Sequence, residues 1–132
     1  MKRILILSLI AIFTACGTMK LTESSYAMVT ESKAEIDQYV FKFTKKAGAY
    51  LEVVEVKLLN KENGMDMSVP FQVTDVDGKK SVLDVKGRSE FAVVASRPKD
   101  GENKLATSAL IVYKSEPEGE NKYFTVKKIG NQ

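Results

Sequence analysis

Phe91-Ala-Val-Val-Ala95 is the stretch that decides the fold of this 132-residue chain, together with Leu110-Ile-Val112 further along it. Both stretches are apolar at consecutive positions, which is typical of a strand that is buried on both faces. The polar, proline-containing loop 97–103 separates them and supplies a turn. We therefore expect strands near 91–95 and 105–113 to lie in the middles of two packed β-sheets.

The neighbouring segments alternate with a period of two. Tyr39, Phe41 and Phe43 share one face of a predicted strand, with Val40, Lys42 and Thr44 on the other. A second strand is predicted over 49–59, and the adjacent apolar residues Val53 and Val54 indicate either a β-bulge within it or a strand that changes neighbours. The last predicted strand, over 123–129, places Phe124 and Val126 on one side.

A third strand is predicted along Met67, Val69, Phe71 and Val73. Its Pro70 has no backbone N–H to donate, so this strand is expected to lie at a sheet edge or to begin its pairing late. Asp77-Gly78 is the strongest hairpin signal in the chain, because both residues tolerate a positive φ. The return strand is predicted to carry Val82, Leu83 and Val85.

About seven such runs, separated by turns, predict an all-β fold. Their order resembles immunoglobulin-like and fibronectin-like β-sandwiches of about seven antiparallel strands, which is the fold we expect. The tryptophan and paired cysteines of antibody domains are missing, since the chain has no Trp and one Cys. A small up-and-down β-barrel is the alternative, because every connection is short enough for a meander.

The N-terminus has the layout of a secretory signal. Lys2 and Arg3 precede the apolar run 4–13, and the small residues Thr14 and Ala15 follow it. The run is shorter than the roughly 20 apolar residues that a membrane-spanning helix needs. The sequence therefore predicts an export signal rather than a spanning helix.

Phe13-Thr-Ala-Cys16 resembles the lipobox of bacterial lipoprotein precursors, with Phe13 at a position where Leu is usual. The resemblance implies that Cys16 receives a diacylglyceryl group, that the signal is cleaved before it, and that the new amino terminus is acylated. It further implies a signal peptide over 1–15, a lipidated cysteine and tether over 16–37, and a β-sandwich domain over 38–132. Gly17 stands where an aspartate would favour the inner membrane, so the outer membrane is expected in a Gram-negative host.

The composition excludes several functions. The chain contains no histidine, which rules out Ser–His and Cys–His nucleophile systems and removes the commonest zinc ligand. Its 20 basic and 17 acidic residues are interspersed, which argues against a nucleic-acid partner. One cysteine allows no disulfide within the chain.

Two short motifs have metal-binding interpretations. Asp75-Val-Asp77-Gly78 is similar to the start of a calcium loop, but lysines follow it and its flanks are strands, so a hairpin turn is the preferred interpretation. Met65 and Met67 offer thioethers that suit Cu(I), but no histidine or second cysteine completes a ligand shell. We predict no metal and no cofactor.

Carboxylates and tyrosines are the remaining candidates. The acidic residues are expected in solvent rather than as a catalytic pair; they are Glu52, Glu55, Glu116, Glu118 and Glu120. Four tyrosines fall on strands or near strand ends, where we expect them at the rim of the core rather than in a recognition patch. They are Tyr39, Tyr50, Tyr113 and Tyr123. No catalytic residue is predicted.

The sequence thus predicts a lipid-anchored protein of the bacterial cell envelope that is not an enzyme. Its expected role is to bind or scaffold a protein or glycan partner at the membrane. Two alternatives stay open, a small-ligand carrier and a hydrolase that uses carboxylates.

Overall fold

The computed structural model describes residues 19–77, 80–82, 85–99 and 105–130. They form eight β-strands and no helix, so no helix of this part is long and apolar enough to cross a membrane. The strands are β1 (Met19–Glu31), β2 (Ala34–Lys45), β3 (Glu52–Asn60), β4 (Met65–Ser68), β5 (Phe71–Thr74), β6 (Glu90–Pro98), β7 (Ser108–Lys114) and β8 (Lys122–Val126).

The strands form two antiparallel four-stranded sheets. The first sheet has the order β1-β2-β6-β5, and the second has the order β4-β3-β7-β8. No strand pairing among the described residues joins one sheet to the other, so the predicted all-β sandwich is confirmed and the closed barrel is wrong. The structure has eight strands where about seven were expected.

The two segments that decide the fold lie where the sequence predicts. All five residues of Phe91–Ala95 are buried in β6, which lies between β2 and β5. Ile111 and Val112 are buried in β7, between β3 and β8, while Leu110 is half-buried. Each segment therefore occupies an inner strand of a different sheet.

The core is built on the inward row of β2. Tyr39, Phe41 and Phe43 are completely buried, which confirms the predicted alternation. The Phe43 ring stacks on Phe91 with centroids 5.4 Å apart and meets the edge of Phe124 at 5.3 Å. Such aromatic pairs contribute about 1 kcal/mol each beyond the area that they bury.

The predicted third strand is split in two. Met65–Ser68 pairs with β3 in the second sheet, whereas Phe71–Thr74 pairs with β6 in the first. Val69-Pro70 forms the crossing between the sheets, where a missing N–H interrupts no ladder. Both pieces are edge strands, as Pro70 predicts. The return strand is reduced to a bridge between Thr74 and Ser81, and Gly78 and Leu83 lie outside the described residues.

The expected tether differs from the structure over residues 19–37. These residues form β1 and the start of β2, so the expected boundary at residue 38 falls inside a strand. Ser32 and Lys33 close this hairpin with φ angles of 52° and 69°, the positive values that a two-residue turn requires. Composition did not predict the full length of β1, because its burial pattern shows one buried position among exposed and half-buried ones.

The bulge predicted at Val53 and Val54 is confirmed. The register between β3 and β7 shifts between Val53 and Glu55. Val53 packs against the core, while Val54 is 41% exposed. The extra residue therefore points one valine inward and leaves the next in solvent.

Lys45 ends the inward row of β2 and is buried. Its ammonium group donates to the backbone carbonyls of Lys46, Ala49 and Lys86, at 3.3, 2.9 and 3.1 Å. It thereby ties the turn after β2 to the segment that precedes β6. Three charged hydrogen bonds offset the cost of burying the ammonium.

Replacing Lys45 with Met should lower the free energy of unfolding by about 2 kcal/mol, because buried carbonyls lose their donor. Chemical denaturation measures the change. The matched control is Lys46→Met, which alters an exposed neighbour and should shift the value by less than about 0.5 kcal/mol. Equal effects of the two substitutions would contradict the assigned role of Lys45.

Candidate functional site

The outer surface of the second sheet carries the most exposed large hydrophobic side chain among the described residues. Tyr123 on β8 is 64% exposed. It is paired across the strands with Val112, which in turn is paired with Glu55. We call this surface the Tyr123 face; its members are Glu55, Lys57, Leu59, Leu110, Val112, Tyr123 and Thr125.

Apolar side chains run across the Tyr123 face. Val112 is only 3% exposed although it points away from the core, because Tyr123 and Glu55 flank it in register. Leu110 and Leu59 are half-buried on the same side. Together with the exposed Tyr123 ring they form an apolar strip, and apolar surface around an exposed aromatic ring is typical of interaction surfaces.

Polar groups border the strip. Lys57 pairs with Asp66 at 3.8 Å, and the Ser68 hydroxyl donates to the Glu55 carboxylate. A groove of about 480 Å³ adjoins the strip at the end of β3. It is lined by Leu59, Asn60, Lys61, Glu62, Thr107, Ser108, Thr125 and Lys127. The face thus combines an apolar centre with a hydrogen-bonding rim, the usual anatomy of an interface.

A second concavity lies at the edge of the sandwich, where β4 leaves the first part of β3 uncovered. It has a volume of about 430 Å³ and is lined by Tyr50, Leu51, Glu52, Val53, Val73, Val82 and Val85. The Tyr50 hydroxyl donates to the Glu52 carboxylate at 2.8 Å. Residues 83–84, which adjoin this lining in the chain, lie outside the described residues.

The four tyrosines do not form one patch. Tyr39 is in the core, where its hydroxyl oxygen accepts a hydrogen bond from the Ala106 N–H at 3.0 Å. Tyr113 is also buried, and Tyr50 is half-buried at the edge cleft. Tyr123 alone of the four is exposed, so only it presents an aromatic ring to a partner.

The candidate carboxylates lie in two places, on β3 and in the β7–β8 connection, where Glu116 and Glu120 line a depression of about 240 Å³. Glu52 hydrogen-bonds Tyr50, Glu55 hydrogen-bonds Ser68, and the bulge lies between them. The β7–β8 connection leaves its three glutamates exposed; they are Glu116, Glu118 and Glu120. Within the described ranges, no group of three His, Cys, Asp or Glu residues is placed to hold a metal ion.

The calcium-like motif is occupied by hairpin contacts. The Asp75 N–H donates to the Lys80 carbonyl at 2.9 Å, and the Lys80 N–H donates to the Asp75 carboxylate at 3.4 Å. Asp77 is exposed in the turn, and Gly78 lies outside the described residues. The Asp75 side chain therefore stabilises the turn.

Met65 and Met67 do meet on one side of β4, as strand spacing predicts. Their sulfur atoms lie 4.0 and 3.3 Å from Nη1 of Arg97. A guanidinium at that position brings a positive charge to the thioether pair and so disfavours a bound Cu(I) there.

Sequence reasoning missed the buried carboxylate of Asp37. It is 1% exposed and accepts a hydrogen bond from the Tyr26 hydroxyl at 2.6 Å. Burial, together with this contact, raises the pKa of Tyr26 to about 12. The same period of two that places Tyr39 inward would have placed Asp37 inward as well.

Comparison with protein families, with curated proteins and with solved structures finds no match to this chain. The lipobox-like segment and Cys16 lie outside the described residues. The case for a function therefore rests on the surfaces of the sandwich and on the sequence of the leader.

The Tyr26–Asp37 pair predicts a late tyrosine titration. Because burial and Asp37 raise the pKa of Tyr26 from 10.0 to about 12, neutral Tyr26 stabilises the fold below pH 10, and this contribution is lost as the pH rises towards 12. Tyrosinate absorbance should show a transition near pH 12 that Tyr26→Phe removes. Tyr123→Phe is the control and should keep that transition; its loss from both variants, or from neither, would refute the assignment.

Proposed function

We propose that this protein is a lipid-anchored cell-envelope lipoprotein that binds a protein or glycan partner through the Tyr123 face. The membrane address is supported by the leader, in which a basic start, an apolar run and Phe13-Thr-Ala-Cys16 follow one another. Acylation of Cys16 by more than one chain would give durable anchoring, since a single chain binds a bilayer only marginally.

The strand order supports the finer proposal of an immunoglobulin-like domain. Immunoglobulin sandwiches place strands A, B, E and D in one sheet, and C′, C, F and G in the other. The orders β1-β2-β6-β5 and β4-β3-β7-β8 correspond to A-B-E-D and C′-C-F-G when the strands are lettered along the chain. Modules of this architecture commonly act by contact.

The exposure of Tyr123 is the observation that carries the binding role. Tyrosine is enriched at the centres of interfaces because its ring buries a large apolar area while its hydroxyl finds a polar partner. On this face the ring stands beside Val112, and Leu110 and the groove of about 480 Å³ adjoin it. A partner would cover the apolar strip and hydrogen-bond at the rim.

A non-enzymatic role is proposed because two of the carboxylates that a histidine-free active site would use have other partners. Glu52 is bonded to Tyr50, and Glu55 is bonded to Ser68. A hydrolase would need two of these acids to face one cleft. A small-ligand carrier is the second candidate, and the edge cleft of about 430 Å³ is the observation that favours it.

The anchor predicts a labelling pattern. In cells fed a fatty-acid analogue, the wild-type chain should be labelled and should fractionate with membranes. Cys16→Ala should abolish the label, because the acylated thiol is the only one in the chain. A labelled Cys16→Ala protein, or an unlabelled wild-type protein exported to the medium, would remove the proposed address.

The Tyr123 face predicts site-specific crosslinking. A photo-reactive amino acid at Thr125 should capture a partner in whole cells, whereas the same group at Glu90, which is exposed on the outer face of the first sheet, should not. Adding Tyr123→Ala should reduce the adduct at Thr125 by about tenfold or more, since aromatic anchors often contribute 2 kcal/mol or more. Protease or glycosidase digestion then assigns the adduct to a protein or a glycan.

If the adduct at Thr125 were unchanged by Tyr123→Ala, or if Glu90 captured the same partner, the Tyr123 face would not be the binding surface.

A further inference from the structure

Most of the edges of the two sheets are protected against pairing with another strand. The edge strands β4 and β5 have four residues each, and β8 has five. Val69-Pro70 follows β4, and Ser81 bridges to β5. Short strands, proline and covering segments are the means by which natural sheets avoid edge-to-edge association.

The fourth edge strand, β1, is 13 residues long and is protected only at its start. A bulge interrupts it between Leu21 and Glu23. The C-terminal segment covers it at Ser24, whose hydroxyl donates to the Lys128 carbonyl and accepts from the Gly130 N–H. No described residue forms a strand pairing with the outer edge of Ser25–Glu31.

The backbone groups that point outward from this edge can be assigned from the register. In β2 the odd-numbered residues bond towards β6, since the Lys99 N–H donates to the Glu35 carbonyl. Even-numbered residues of β2 therefore bond to β1, and their partners there are odd-numbered, for example Val29 opposite Ile36. The N–H and C=O groups of Tyr26, Met28 and Thr30 consequently face outward.

The side chains along the open edge favour a strand partner over water. Residues 25–30 carry no charge, no proline and no glycine. Met28, at the middle of the stretch, is 46% exposed. A long, uncharged edge with an exposed apolar side chain is the kind that pairs with another chain.

The geometry suits a second copy of the same strand. With a two-fold axis at Met28, antiparallel pairing sets Met28 opposite Met28 and Tyr26 opposite Thr30. All these residues point their backbone groups outward, so each pair exchanges two hydrogen bonds.

We propose that two copies of this chain associate through β1, which joins their first sheets into one eight-stranded sheet with the two-fold axis at Met28. The interface is isologous, as expected for a symmetric dimer. The two exposed Met28 side chains cover each other at its centre.

A disulfide at the axis tests the register. Directly opposed residues in a hydrogen-bonded antiparallel pair have Cα atoms about 5.5 Å apart, a separation that a disulfide spans. The full-length chain with Met28→Cys should give a covalent dimer on mild oxidation, both in cells and after purification in detergent. Val54→Cys, a residue of similar exposure in the second sheet, is the matched control and should remain monomeric. The unaltered chain controls for Cys16.

A charge at the axis tests the association without a covalent bond. Met28→Glu should weaken dimerisation by at least about tenfold in analytical ultracentrifugation, because like charges would stand opposite each other. The Lys99 ammonium, which lies 3.1 Å from the Met28 sulfur, offers the new carboxylate a partner within the monomer, so the fold should persist. Val54→Glu is the control and should leave dimerisation unchanged.

The proposal is overturned if Met28→Cys yields no dimer, if Val54→Cys crosslinks equally, or if Met28 reacts only with a different protein. It is also overturned if Met28→Glu and Val54→Glu have the same effect on association. None of these measurements depends on acylation of Cys16, so a negative result leaves the proposed function untouched.

Discussion

The structure depends on one requirement, which is that the aromatic row of β2 be covered on its inner side. Tyr39, Phe41 and Phe43 project from a single strand and are completely buried. In the same sheet they stand beside Ala95, Val93 and Phe91 of β6, and the second sheet closes over both strands. Burial of large aromatic side chains is the dominant favourable contribution to such a fold. The inner strands of both sheets are therefore the most apolar segments of the chain.

The same row explains where charge enters the interior. The inward positions of β2 continue the alternation beyond the aromatics and place Asp37 at one end and Lys45 at the other. Neither can be solvated fully, so each is satisfied locally, Asp37 by the Tyr26 hydroxyl and Lys45 by three carbonyls. Both contacts tie a neighbouring element to β2. The ends of the row thus fix β1 and the β2–β3 turn against the core.

The hydrophobic pattern predicted the inner strands, because strands that are buried on both faces have apolar side chains at consecutive positions. The consecutive apolar residues at 91–95 and the paired valines at 53 and 54 were sufficient to place a central strand and a bulge. Edge strands carry weaker information, since half of their positions face water. For this reason the sequence of β1 was interpreted as part of a tether. The alternation that continues through Pro70 was interpreted as one strand, although this segment crosses from the second sheet to the first.

The candidate site was less predictable than the fold. The presence of a tyrosine in a strand does not show towards which face of the sheet its side chain points or how exposed it is. The four candidate tyrosines are in fact distributed among the core, the edge cleft and the surface. The register of β8 on β7 brings Tyr123 beside Val112, and this pairing depends on contacts distant in sequence. Sequence alone therefore predicted the architecture but left the binding surface open.

The proposed anchor, the proposed Tyr123 face and the proposed β1 pairing would together restrict how the domain stands on a membrane. Only residues 17 and 18 separate Cys16 from β1, so a lipid on Cys16 would lie within about 10 Å of the strand at roughly 3.5 Å per residue. In an antiparallel pair centred on Met28, the two Met19 ends point in opposite directions, about 60 Å apart at roughly 3.3 Å per residue. Two anchors so placed reach one bilayer only if the strands run along its surface.

In that orientation the two-fold axis, which is perpendicular to the joined sheet, would also be the membrane normal. One face of the sandwich would then point to the lipid and the other to the envelope. The proposed anchors would emerge from β1, which belongs to the first sheet, and the short spacer would keep that sheet next to the bilayer. The Tyr123 face is the outer surface of the opposite sheet, so the proposed dimer would present two copies of it away from the membrane, where a partner can reach both.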